Sequence, residues 1–148
     1  MLVKKYGVEL VKEESKRYEG ENKSMNCPQK MFDVLTDVFR LDKKPQESFY
    51  LLAFDTKLRL IGTFEVGRGT LDYTVVDTKG IFQRALLCNA SKIAVAHNHP
   101  SGEVEPSRED ISATKRISSC GELMGIRLID HIIVGDGKYY SFADNQML

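Results

Sequence analysis

The stretch "AHNHPSGEVEPSRED", Ala96 to Asp110, decides the fold because it reads as a strand end, a turn and a helix start in succession. It continues "KIAVA" (92–96), an apolar, β-branched run of strand composition. Residues two apart on an extended chain point to one face, so His97 and His99 present both rings to a common point. Pro100 and Pro106 turn the chain, and Ser107 is well placed to open the helix beyond them. A carboxylate in that first turn, Asp110, can face back toward the strand end.

Outward from this unit, helices alternate with strands. "SREDISATKRISSCGELM" is long enough for a helix, with Gly125 as its stop. "IRLIDHIIV" and "KYYSFA" flank "GDG" and predict a closing hairpin. Upstream, "IFQRALLCNA" reads as a short helix, "SFYLLAF" as a buried strand, and "LRLIGTFEV" as its neighbour after the turn "DTK". Gly67 and Gly69 make a break before a further run, "LDYTVV". "PQKMFDVLTDVFRL" sets Met31, Phe32, Leu35, Val38 and Phe39 at helical spacing, with Pro28 in a first turn. "VELVKEES" predicts an early strand, joined to that helix by the polar "YEGENKSMN". The expected architecture is α/β, a single mixed sheet flanked by helices, without a Gly-rich phosphate loop. Residues 1–40 would supply a strand and helix packing on or leading into the core, and residues 41–148 the main domain, forming one compact domain together.

The 148 residues suffice for one domain, and 42% hydrophobic with 28% charged residues is a globular composition. Lys+Arg and Asp+Glu balance at 21 each, which removes the footprint of a dedicated DNA-binding domain. No apolar run reaches a membrane span, and the N-terminal "MLVKKYGVELVKEESK" lacks a signal peptide's apolar core. The three cysteines, Cys27, Cys88 and Cys120, show no C-x-x-C spacing and read as small core residues of a reducing compartment. A soluble cytoplasmic domain is expected, with no membrane partner and no signal for oligomeric state.

Neutral imidazole is a preferred ligand of Zn²⁺, and a catalytic zinc takes three protein ligands plus a water. His97, His99 and Asp110 are the candidate set. The competing reading is a capping box, because Ser107-x-x-Asp110 is also a helix-start pattern in which Asp110 folds back on a backbone N–H. Ser107 can serve both, capping the helix while facing the site. Asn98 reads as a residue that holds a loop, and Ser101 and Gly102 as turn residues. His131, beside Asp130 on an apolar strand, is most simply a satisfied core histidine, with a role behind a metal ligand as the lesser alternative. Tyr139 and Tyr140 read as hairpin packing.

His97-x-His99, seven residues, then Ser107-x-x-Asp110 resembles the JAMM motif of the MPN/JAB metalloprotease superfamily. With "LIDHIIVG" and "YYSFAD" downstream, the string is similar to the RadC-like branch, over about Ser48 to Ala143. The chain resembles the short form of that branch, without its N-terminal helix-hairpin-helix region. The resemblance implies an MPN/JAB fold of cytidine-deaminase-like architecture and one zinc ion per chain held by His97, His99 and Asp110. It implies a metallopeptidase-like hydrolase of amide or isopeptide bonds, with Ser107 stabilising the oxyanion and an upstream glutamate as general acid/base. Superfamily members place that glutamate just before a core strand, where "PQESFYLLAF" offers Glu47; Glu65 in "IGTFEVGRG" is the rival. The substrate would be an unidentified peptide or amide. A DNA-associated repair factor, suggested by the branch's historical label, and a non-catalytic interaction module are the alternatives. Retained ligand positions argue against the module, balanced charge against DNA, and the missing cysteine ligands against a deaminase.

Overall fold

The structure is a computed structural model that describes residues 1–19, 24–69 and 76–148. Helix α1 (Pro28–Asp37) begins with its proline at the first helical turn, where a missing N–H costs nothing. A short 3₁₀ turn (Leu41–Lys43) leads to β1 (Ser48–Phe54) and β2 (Leu60–Arg68). Then come α2 (Thr78–Leu87), β3 (Lys92–Asn98), α3 (Arg108–Met124), β4 (Arg127–Val134) and β5 (Tyr139–Ser141). Asp77 starts α2 by accepting the Gly80 N–H at 2.8 Å, and Gly125, at φ 69°, ends α3 in the left-handed conformation.

One five-stranded mixed sheet runs in the order β2-β1-β3-β4-β5. β1 is antiparallel to both β2 and β3, β3 is parallel to β4 across the α3 crossover, and β4 returns to β5 as a hairpin. Every residue of β1 is buried, because the strand lies inside the sheet and both faces are covered. That explains a continuous apolar run with no two-residue alternation. On one face Tyr50, Leu52, Ala94, Ala96, Ile132 and Val134 pack against Met31, Val34 and Leu35 of α1. On the other, Phe49, Leu51, Ile93 and Val95 pack against Ile81, Phe82, Ala85, Ala113 and Ile117 of α2 and α3. This three-layer α/β sandwich is the expected MPN/JAB architecture.

A bulge in β4 decides which way His131 faces. Ile93 pairs with Leu128 but Ala94 pairs with Asp130, so Ile129 is an extra residue. An extra residue inverts the facing of everything after it. His131 consequently pairs with Val95 and lands on the α2–α3 face, the same face as His97.

At the N-terminus the chain departs from the sequence pattern. "VELVKEES" forms no strand; Val8 and Val11 remain 74% and 77% exposed. Its apolar residues lose their alternation at Leu10-Val11, and Lys12, Glu13 and Glu14 come next, so no single face offers itself for burial. Of residues 1–40, α1 and Met25 enter the core, and Tyr18, Val38 and Phe39 pack against it. The run "LDYTVV" falls almost wholly in residues 70–75, outside the described residues. Among the described residues no helix is long and apolar enough to cross a membrane.

Candidate metal centre

The C-terminal end of β3 lies beside the N-terminal end of β1 because the two strands are antiparallel, with Phe49 opposite His97. Glu47 precedes that pair by two residues and so looks to the same side. Beyond β3, the His99 N–H still donates to the Val134 carbonyl at 2.9 Å, which carries the strand direction far enough to bring its ring to His97. The turn then sets the N-terminus of α3 over the same end of the sheet, and Asp110 stands in its first turn.

Four groups converge there. His97 Nε2 lies 3.0 Å from His99 Nε2, 3.1 Å from Asp110 Oδ1 and 3.7 Å from Glu47 Oε1. His99 Nε2 lies 3.5 Å from Asp110 Oδ2. Donor atoms of Glu47, His97 and His99 all fall within 4.8 Å of one another, a grouping able to hold a metal ion. Ligands about 2.0–2.1 Å from a tetrahedral zinc stand about 3.3 Å apart, close to the separations of His97 Nε2 from His99 Nε2 and from Asp110 Oδ1. Two of the acceptors are buried without a hydrogen-bond partner among the described residues: Asp110 Oδ1 and Glu47 Oε1. His97 Nε2 thus approaches both the His99 ring nitrogen and Asp110 Oδ1. Buried acceptors crowded together without a shared hydrogen are costly unless a cation sits among them.

The capping reading of Asp110 holds, and it engages one carboxylate oxygen, Oδ2. Ser107 and Asp110 form the full capping box: the Asp110 N–H donates to Ser107 Oγ at 3.0 Å, and the Ser107 N–H donates to Asp110 Oδ2 at 2.7 Å. Oδ1 is left to face His97.

These contacts set the charges. Burial pushes the fully enclosed His97 imidazole down, toward the neutral form that binds metal. His99, more open, moves the other way, chiefly through the Asp110 carboxylate and then the Glu103 carbonyl that its Nδ1 contacts at 2.9 Å. Asp110 is held well below the usual carboxylate range: burial pushes it up, but the two imidazoles and the Ser107 N–H outweigh that. Glu47 is raised from 4.5 to about 7, mainly by burial and further by the Asp110 charge, against the pull of His99. The rival Glu65 is committed elsewhere. Arg68 clasps it at 2.9 and 2.7 Å and Lys44 at 3.1 Å, and its carboxyl drops to about 2, with Arg68 the first cause.

Glu47 owes its position to Asn98, which lies between the two histidines in sequence but faces the opposite way. The Asn98 side chain accepts the Ser48 N–H at 2.8 Å and donates to the carbonyls of Lys44 and Gln46, both at 3.2 Å. A bond from the Gly69 N–H to the Glu47 carbonyl, 2.8 Å, closes the other side. Ser101 and Gly102 form the turn after His99, where Gly102 at φ 85° donates its N–H to the His99 carbonyl at 2.9 Å. Tyr139 packs on Phe32 and Tyr140 on Phe142, with ring centroids 5.0 and 5.4 Å apart. Asp130 stays outside the cluster, its carboxylate taking up the His131 and Ala143 N–H groups and the Ser141 hydroxyl.

His131 is fully buried, as the core reading expects, and its Nε2 lies 2.8 Å from His97 Nδ1. Behind it stands Thr114, whose Oγ1 is 2.6 Å from His131 Nδ1. Thr114 escaped the sequence reading; the available signal was its place four residues after Asp110, on the same helical face.

Known proteins share this chain's sequence over most of its length. The family model for the RadC-like JAB domain matches residues 25–147. A UPF0758 protein of Clostridioides difficile is 47% identical over 112 residues, covering 76% of this chain and 47% of that protein. A UPF0758 protein of Pasteurella multocida is 44% identical over 108 residues, covering 73% of this chain and 48% of its own. One from Salinibacter ruber is 38% identical over 136 residues, 91% of this chain and 57% of its own. The chain thus spans about half the length of the curated relatives it matches.

Proposed function

Since the chain belongs to the RadC-like JAB domain family, we propose that it is a zinc-dependent hydrolase that cleaves amide or isopeptide bonds. The observation that carries the reading is the convergence of the His97 and His99 Nε2 atoms with the Glu47 and Asp110 carboxylates. His97, His99 and Asp110 would hold the ion. When bound, it supplies a water acidified to a pKa of about 7 and positive charge beside the scissile carbonyl.

Glu47 does the proton work. A carboxyl raised to about 7 accepts the proton of the attacking water and returns it to the leaving amine near neutral pH. Its buried Oε1, without a hydrogen-bond partner among the described residues, has an acceptor site to spare. The capping bond uses Ser107 only as acceptor, so its hydroxyl hydrogen is left for the developing oxyanion. Losing such a donor typically costs about 2.7–4 kcal/mol of transition-state stabilisation.

The test is cleavage of pooled peptide, peptide-amide and isopeptide substrates by zinc-loaded protein, read by mass spectrometry. Cleavage that disappears in Glu47→Gln and in Asp110→Asn is expected. Cleavage indifferent to Glu47→Gln, or none from any pool, counts against the reading; steeply salt-dependent DNA affinity in its place would favour a DNA-associated role.

A further inference from the structure

Resting on the metal-site reading above, we infer that Thr114 and His131 hold His97 in its Nδ1–H tautomer, so that Nε2 is the nitrogen offered to the metal. The two are positioning residues, and the inference comes from counting hydrogens along a buried chain of contacts. Thr114 Oγ1 lies 2.6 Å from the Asp110 backbone carbonyl and 2.6 Å from His131 Nδ1, and His131 Nε2 lies 2.8 Å from His97 Nδ1. Thr114, His131 and His97 are all sealed from solvent, at 1%, 0% and 0% exposure.

A hydroxyl has one hydrogen to give, and a neutral imidazole one. If Thr114 donates to the Asp110 carbonyl, its oxygen must accept from His131 Nδ1–H. His131 Nε2 is then an acceptor, and His97 Nδ1–H donates to it. Each of the three short contacts holds one hydrogen, and His97 Nε2 is left with a lone pair aimed at the site. The reverse polarity has Thr114 donating to His131, His131 to His97, and His97 Nε2–H turned toward His99 Nε2 and Asp110 Oδ1. It would leave two oxygens 2.6 Å apart with no hydrogen between them. The short contacts therefore select the first polarity.

Two stacked rings hold the chain in register: Phe142 lies parallel to His131 at 4.7 Å, and Phe49 parallel to His97 at 6.0 Å. The relay also ties the ligands together. It begins on the backbone of Asp110 in α3, passes through β4, and ends on His97 in β3, so the orientation of one ligand constrains the other.

The relay is tested with the 148-residue chain as wild type, Thr114→Val and Thr114→Ser. Valine keeps the shape but removes the acceptor, which frees His131 to reverse and drive a proton onto His97 Nε2. Zinc affinity, measured by competition with a chromophoric chelator, should fall about 10–100-fold in Thr114→Val and return to within about threefold of wild type in Thr114→Ser. Long-range ¹H–¹⁵N correlation spectra of the zinc-free wild type should show Nδ1–H on both His97 and His131. Valine protein that binds zinc as tightly as wild type overturns the relay, and so does Nε2–H on either ring of the zinc-free wild type. Should Thr114→Val fail to fold, the wild-type spectra decide alone. Wild type that binds no zinc defeats the metal-site reading instead, while the spectra still judge the relay.

Discussion

Glu47→Gln should make the metal-free protein more stable at neutral and alkaline pH, even as it removes the proposed general base. The carboxyl is raised from 4.5 to about 7 because ionising it means placing charge in a partly buried site beside Asp110. Holding it ionised in the folded state would cost about 3 kcal/mol without screening. Glu47 remains 19% exposed at the mouth of the site, and solvent there reduces the cost to about 1–2 kcal/mol. Proton linkage gives the sign. Between pH 4.5 and about 7 the folded state binds more protons at this position than the unfolded state, so its contribution to stability falls as pH rises. Glutamine does not titrate, so the variant's advantage should be absent near pH 4 and fully developed near pH 8. Denaturant unfolding of both metal-free proteins at those two pH values provides the assay, and pH effects at groups not coupled to Glu47 cancel in the difference. An advantage of equal size at both pH values, or a variant less stable at pH 8, would refute the electrostatic account of Glu47.

The contacts around the site carry three further outcomes. Asn98→Ala should cost about 1–3 kcal/mol by leaving the Ser48 N–H without its partner, and should lower turnover more than zinc affinity, because it loosens the loop that presents Glu47. Gly135→Ala drives a methyl into the Gly102 carbonyl and should cost about 1–3 kcal/mol in thermal or denaturant unfolding. It also shifts the turn whose Glu103 carbonyl orients His99, so zinc affinity should fall with it. Glu65→Gln should leave turnover unchanged and alter stability by no more than about 1 kcal/mol, since Arg68 sits at the surface and the part-buried Lys44 keeps the Tyr50 hydroxyl as a partner.

What the sequence made legible was what is encoded locally. The strand period places His97 and His99 on one face, and the helix start places Asp110 three residues after its cap, so the convergence could be argued from spacing. The strands "SFYLLAF" and "KIAVA" could be read because burial on both faces leaves an unbroken apolar run. Between Glu47 and Glu65, spacing could not choose. The difference lies in which strand end meets β3 and in the Arg68 and Lys44 side chains that occupy Glu65. His131 was harder still, because its facing depends on one extra residue, Ile129, in β4. Counted straight through from Leu128 without the bulge, it would point to the α1 face, away from the site. Thr114 needed the packing of α3 on β4 before its hydroxyl could matter. "VELVKEES" erred in the other direction, since strand-like residues form no strand unless a sheet face or edge is there to receive them.

The central claim is that this cluster holds a metal through Asp110. Zinc per chain, measured by elemental mass spectrometry on wild type and on Asp110→Ala at matched helix content, tests it most directly. Near one zinc in the wild type, falling sharply in the variant, is the predicted result. No zinc in either protein after zinc is supplied would mean that Ser107 and Asp110 only begin a helix.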